Sequence, residues 1–339
     1  MVAMQVRQAQ AGRDTGDHDY PEFLRGVAGT VWNRRALDAE LGGLCHPQLI
    51  HRQALGMGYG AEALRGEALE LLAALPDISA RTEDVICSGT PRVGMLGAQR
   101  LHLSGSHTGG GVFGEPSRRR LRFRVLADIY AKDGRLCELW AVRDSGAILR
   151  QLGLCPRRWA AERIGAETGD GPFRPAQDQP GPYTGQGNGN QWGLAFAALL
   201  ERVMGMGFSE IAAQYDPAAR LAYPGGILDE GAGGAERFWF GLRAAFPDAR
   251  FTIDHVIGRE DRLMPPRAAL RWSLDGRHAG WGAFGAPSGA RVHVMGISHA
   301  EFGPDGLRRE WTLYDEAAVW MQISAGASSA RPEGVLAAE

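Results

Sequence analysis

Four side chains in the first half of this chain are of the kind that move protons: His51, His107, Asp128 and Asp144. Imidazoles and carboxylates do so near neutral pH when burial or a neighbouring charge tunes them, so the elements that carry them decide whether they act together. His107 opens the stretch HTGGGVFGEPS, residues 107–117, whose glycines let the backbone turn tightly beneath a ligand. The phrase returns as HAGWGAFGAPS at 278–288, with seven of eleven positions identical and His278 at its head. A histidine so placed either faces a pocket or hydrogen-bonds its own turn, and recurrence fits both. Asp144 recurs as Asp315, each four residues after a tryptophan, where an aspartate either serves a site or caps the turn behind the strand.

The recurrence extends well beyond these residues. Pro76 and Pro247, His107 and His278, Trp140 and Trp311, and Asp144 and Asp315 all stand 171 positions apart. One offset held over so long a stretch marks an internal duplication. Between the copies, GDGPFRPAQDQPGPYTGQGNGNQ (169–191) has hardly an apolar side chain and reads as a linker able to lie along a domain as a strap. The expected organisation is an arm over 1–19, domain 1 over 20–155, a linker over 156–190, domain 2 over 191–325 and a tail over 326–339.

Each copy begins helical and ends in strands. Leu64, Ala68, Leu71, Leu72 and Leu75 form the stripe of a helix with one buried face, ended by Pro76. The period then falls to two. Leu101, Leu103, Gly105 and His107 share a strand face, as do Trp272, Leu274, Gly276 and His278, and Leu121, Phe123, Val125 and Ile129 alternate with Arg122, Arg124, Asp128 and Tyr130. AKDG (131–134) and GPDG (303–306) are turns into a last strand that sets Glu138, Trp140, Val142 and Asp144 on one side. Helices followed by a meander predict an α+β fold: two tandem cone-shaped barrels, each with helices packed on a curved, mostly antiparallel sheet whose mouth is a natural pocket.

Composition narrows the function classes. With 44% hydrophobic and 22% charged residues the chain is an ordinary globular one, and a net charge of −2 gives no reason to expect nucleic acid or an anionic membrane as partner. The four cysteines have no CxxC spacing and no apolar run is long enough to span a bilayer, so a cytoplasmic setting is expected. His255, His278, His293 and His299 crowd the second half, yet neither HxH nor HExxH occurs, and His293 and His299 stand roughly 20 Å apart on an extended strand. No metal and no cofactor are expected.

WNRRALDAELGGLCHPQLIH, PDISARTEDVI, GSHTGGGVFGEPS and ELWAVRDSGAILRQLG together resemble the SnoaL-like polyketide cyclases, of the nuclear-transport-factor-like and ketosteroid-isomerase-like superfamily. The resemblance covers nearly all of the first copy and the sheet half of the second. It implies a cofactor-free acid/base reaction inside an apolar cone, with a carboxylate near a histidine. Under it Asp128 is the expected base and His107 the donor or orienting partner, supported by His51 and Asp144. Trp32, Asn33 and Trp140 are expected ligand contacts in domain 1, and Tyr223, His278, Trp281, His299 and Asp315 in domain 2. The second copy departs where His299 replaces Asp128, where Tyr223 or Ala222 replaces His51, and where Trp281 replaces Gly110 and could narrow a pocket. Domain 1 is therefore expected to hold the reactive site, acting as a cyclase, isomerase or lyase on a small apolar or carbonyl compound. Two other readings stay open: a non-catalytic small-molecule-binding pseudo-dimer, and a hydrolase using a pocket water. Pairing of the two copies within one chain is expected, with a homo-oligomer as a further possibility.

Overall fold

The computed structural model describes residues 19–90, 93–166 and 171–329, so the expected arm and tail lie almost wholly outside it. Domain 1 starts with α1 (Asp19–Ala28), which continues into a π-helical turn (Gly29–Arg34), and then α2 (Leu41–Leu44). Strands β1 (Cys45–Gln53) and β2 (Gly56–Tyr59) precede α3 (Gly60–Ala74), which buries Leu64, Ala68 and Leu71 as its stripe requires. The meander β3 (Ser79–Thr90), β4 (Gly94–Ser106), β5 (Arg120–Lys132) and β6 (Arg135–Arg143) ends in α4 (Ser145–Leu152). After α5 (Pro156–Ala166), domain 2 repeats the order with α6 (Gln191–Met204), α7 (Ser209–Gln214), β7 (Tyr215–Tyr223), β8 (Ile227–Glu230) and α8 (Gly231–Ala245). Its meander is β9 (Arg250–Arg259), β10 (Arg267–Arg277), β11 (Arg291–Gly303) and β12 (Gly306–Tyr314), closed by α9 (Glu316–Ser329).

The strands make two six-stranded sheets, ordered β2-β1-β6-β5-β4-β3 and β8-β7-β12-β11-β10-β9. Only β1 with β6 and β7 with β12 run parallel, so the sheets are mostly antiparallel. The linker differs at its start from the extended piece expected. Residues 156–166 are helical, because Pro156 presets the first turn and an Arg/Ala/Glu-rich run follows, and α5 packs on α9 with Ala160 fully buried. The remainder, from 171, is a strap across the seam between the sheets. It is pinned by Phe173, which is 3% exposed and packs edge-on to Trp140.

Each sheet has two buried faces. On β5, Leu121, Phe123, Val125 and Ile129 point into the domain 1 core, whereas Leu126 and Tyr130 face the other sheet. The seam joins Ile86, Leu96 and Ala98 to Ile257 and Ala269, and Leu126 and Val142 to Met295, Ile297 and Leu313. Arg271 lies 4.0 Å from the Trp140 ring centroid and Arg100 lies 3.6 Å from that of Trp311. Both members of these pairs are repeat equivalents, so the two sheets meet back to back about a pseudo-twofold axis.

The repeated phrase has a structural cause. Its loop crosses the end of the preceding helix, where Gly109 N–H donates to the Ala74 carbonyl at 3.1 Å and Gly280 N–H to that of Ala245 at 3.2 Å. A Cβ on Gly109 would stand 1.8 Å from the Ala73 carbonyl oxygen, and one on Gly280 2.0 Å from that of Ala244. Both copies therefore need glycine there. Gly109→Ala is expected to lower the free energy of urea unfolding by ~2 kcal/mol or more. Gly110→Ala, with no atom within 4 Å of the added carbon, should stay within ~0.5 kcal/mol of wild type. Equal midpoints for the two variants would refute this account.

Candidate active site

The interior of domain 1 is walled by α1 and the π-helical turn on one side and the concave sheet on the other. It encloses a cavity of about 60 Å³ lined by Leu24, Val31, Trp32, Leu101 and Val125, with Glu67 and Gln99 as its polar members. Glu67 comes from the buried stripe of α3, three residues after Leu64 and four before Leu71, which turns a helical glutamate inward. Burial lifts its carboxyl from the ordinary 4.5 to about 7, against a pull from the Arg143 charge. Among the described residues nothing is hydrogen-bonded to it. Facing it is His51 of β1, whose Nε2 lies 3.5 Å from Glu67 Oε2, with both side chains almost wholly buried. Burial pushes His51 down to about 4, despite a backbone hydrogen bond with Ala63. Gln53 Nε2 lies 3.3 Å from His51 Nδ1, which leaves the ring proton on the Nε2 that faces Glu67. A neutral imidazole thus stands beside a carboxyl poised between acid and base at neutral pH. Such a pair can give a proton to a carbonyl oxygen or take one from the carbon beside it.

Of the expected residues, Trp32 lines this cavity and His51 stands behind its Glu67, and the structure carries the others elsewhere. The pairing of Asp128 with His107 does not occur. Asp128 faces the seam, where its Oδ1 accepts from His255 Nδ1 and its Oδ2 from Arg271 Nε, each at 2.9 Å. Burial alone would raise this carboxyl, but His255 and Arg271 hold it at about 2, too low for a base poised near neutrality. His107 instead fastens its own turn: Ser117 N–H donates to its Nδ1 at 3.2 Å and Ser117 Oγ lies 3.0 Å away. The ring packs edge-on against Phe113. His278 repeats the clasp with Ser288 at 3.1 Å.

Asp144 is a cap and a brace. It accepts from Ala147 N–H at the start of α4, and from the Gly225 and Gly226 amides of domain 2 at 2.7 and 3.0 Å. Burial lifts its carboxyl to about 6. Asp315 answers from the other side, capping α9 and accepting from Ser145 Oγ at 2.6 Å. Asn33 clips the π-helical turn to the sheet through both backbone groups of Ala80. Trp140 lies in the seam between Arg52 and Arg271, not in the cone.

Domain 2 has spent its interior differently. Strand pairing sets His51 opposite Leu139 and Leu221 opposite Glu310, so Leu221 takes the place of His51 rather than Tyr223 or Ala222. Phe238 stands where Glu67 does, 171 positions on, and stacks on Tyr223 at 3.8 Å. Tyr223 and Tyr215 donate to Glu310 Oε2 at 2.9 and 2.7 Å and Thr312 donates to its Oε1 at 2.6 Å, a closed set deep in the core. Trp239 and Trp272 fill the space between. Trp281, expected to narrow a pocket, is 73% exposed and lines none of the domain interior. His299 is buried in the seam, and among the described residues neither of its ring nitrogens is hydrogen-bonded.

Among the described residues no three His, Cys, Asp or Glu side chains gather as a metal-binding group, and no helix is long and apolar enough to cross a membrane. No curated protein matches the chain in sequence. Among solved structures, a SnoaL-like protein of Jannaschia sp. CCS1 is 19% identical and aligns over 41% of this chain and 97% of its own, with a TM-score of 0.35. IdmH of Streptomyces antibioticus is 23% identical over 40% of this chain and all of its own, also at 0.35. A SnoaL-like polyketide cyclase of Agrobacterium tumefaciens is 23% identical over 38% of this chain and 94% of its own, at 0.30. Each is the size of one domain here. The family model of the SnoaL-like polyketide cyclases matches twice, at residues 23–152 and 225–323, once in each copy of the fold. With most of its length matched in this way, the protein belongs to the SnoaL-like polyketide cyclase family.

Proposed function

We propose that domain 1 is a cofactor-independent acid/base catalyst of the cyclase or isomerase type, acting on a small carbonyl compound held in its apolar cone. The observation that carries this reading is Glu67: a cavity-lining carboxyl with no hydrogen-bond donor of its own among the described residues, facing a neutral imidazole. In its ionised form Glu67 removes a proton from the carbon next to the carbonyl. His51 Nε2–H lies close enough to steady the carboxylate, and the protonated Glu67 returns the proton to another atom of the substrate. The apolar walls exclude the water that would quench a carbanion or enol. Domain 2, with Phe238 and Leu221 at the equivalent positions, serves as scaffold.

The cavity of about 60 Å³ equals about two waters' share of liquid, so a substrate enters only as the wall of α1 and the π-helical turn moves outward.

Two measurements test the pair. Glu67 has a raised folded-state pKa, so its contribution to stability is full below pH 4.5 and is lost as pH rises through about 7. His51 has a depressed one, so its contribution is present above 6.5 and is lost as pH falls through about 4. The two slopes oppose each other in wild type. Glu67→Gln removes the falling one, and its unfolding free energy should gain on wild type by on the order of 3 kcal/mol between pH 4.5 and 7. A difference independent of pH would show that Glu67 ionises normally.

The second measurement is hydrogen–deuterium exchange by NMR at the carbon between the carbonyls of acetylacetone and ethyl acetoacetate in heavy water. Wild type should accelerate exchange, with a rate that climbs with pH and levels off above about 7. Glu67→Gln should lose about 100-fold or more. Full exchange by that variant would remove Glu67 from the chemistry.

A further inference from the structure

A second cavity, of about 370 Å³, lies between the domains beneath the strap and uses none of the groups described for the cone. Arg52, Asp128 and Trp140 come to it from domain 1, His255 and Arg271 from domain 2, and Tyr183 from the strap. Its size falls within the range of small-molecule sites, which favour domain junctions.

The polar groups form a chain across the seam. Asp128 accepts from both Arg271 Nε and His255 Nδ1, and the other ring nitrogen, His255 Nε2, lies 3.2 Å from the Tyr183 hydroxyl. The Tyr183 oxygen also accepts from Gly187 N–H at 2.9 Å. Its ring stacks on Tyr130 with centroids 5.0 Å apart, giving the cavity an aromatic wall. The strap itself is fastened by Arg52, which donates to Asp178 and to the Gln179 carbonyl, and by Glu138, which accepts from Tyr183 N–H. Arg271 is the donor left over. Its Nη1 is 3.9 Å from Asp254, and among the described residues neither Nη group is hydrogen-bonded.

Charge and shape together select the ligand. Arg52 and Arg271 are already matched by Glu138, Asp178 and Asp128, so a fully charged ligand meets a like charge wherever it meets an opposite one. An oxygen acceptor on a neutral ring meets the Arg271 fork and the tyrosine wall at no such cost. We infer that this interdomain cavity is a binding site for a small neutral aromatic compound carrying a phenolic or carbonyl oxygen. The oxygen accepts from Arg271 Nη and the ring lies against Tyr130 and Tyr183.

The test is a titration of the full-length, 15N-labelled protein with phenol, benzoate and benzylammonium, read at the Trp140 indole resonance. Phenol should shift it saturably, and benzoate and benzylammonium more weakly. Tyr183→Ala, on the strap and outside both cores, should weaken phenol about ten-fold, and so should Arg271→Lys where that variant keeps the wild-type spectrum. Glu67→Gln should leave phenol binding unchanged, whether or not Glu67 has the role proposed for it. The site is rejected if phenol does not saturate, if either charged probe binds as tightly, or if Tyr183→Ala binds phenol like wild type. Loss of phenol binding in Glu67→Gln would move the ligand to the cone and also reject it.

Discussion

Arg271 against Trp140 and Arg100 against Trp311 are one contact made twice, and the back-to-back meeting of the two sheets turns on it. A guanidinium stacked on an indole away from water is worth up to ~2 kcal/mol. It also fixes how two curved sheets meet, because each arginine has a single ring to lie on. With the sheets held back to back, no meander strand has a solvent face along its middle. Its two sets of side chains enter two different media: an apolar cone and a seam dense in paired charge. In the seam an ionised group is tolerated only with partners, and removing one partner of such a buried set costs about 3–5 kcal/mol. Asp128, held by His255 and Arg271, belongs to that class, and so its low pKa marks a brace between domains rather than a reagent.

The two cones show what the same fold does with a buried carboxyl. Glu310 is surrounded by Tyr215, Tyr223 and Thr312, all donating to it, and its rings and hydroxyls leave nothing to react. A closed buried network of this kind rigidifies its surroundings. Glu67 has an imidazole at 3.5 Å and a cavity, and no donor among the described residues completes its shell. An incompletely satisfied buried group costs folding free energy. Here that cost is coupled to a pKa near neutrality, the value a general base needs. Polar satisfaction, more than the identity of the residue, separates the structural glutamate from the one proposed to react.

Much of this was written in the chain. The 171-residue offset, the α+β order and the buried stripe of α3 all came through, because periodicity and repetition are local properties. Strand parity even held the answer on Asp128, which alternates with Val125 and Ile129 and so had to leave the face those residues share. The resemblance to a family drew it back into the pocket, since a motif position carries a role without carrying a side of the sheet. Glu67 was missed for the opposite reason: a glutamate on a helix reads as solvated, although its spacing from Leu64 and Leu71 put it on the buried stripe. His107 was over-read because its glycines looked like room for a ligand, when Gly109 is there to let the loop pass the end of α3. Nothing local announced the seam, which depends on residues in contact across half the chain.

Tandem duplication explains how the seam could become one-sided. In a homodimer any side chain placed on one half of a twofold interface is forced on the other half as well. In a single chain the halves are free to differ. Asp128 and His255 pair on one side, and their equivalents on the other are His299 and Asp84, the same two residue types exchanged. Yet that second pair does not form, because Arg267 stands where Leu96 does and takes Asp84 for itself, leaving His299 buried and, among the described residues, without a hydrogen bond. The linker makes the difference complete, since one strap can cover only one side of a pseudo-twofold. Leu96 and the strap leave a cavity on the first side, whereas Arg267 fills the matching place on the second with a paired charge. The Leu96/Arg267 difference and the single strap together thus decide which half of a duplicated interface stays open.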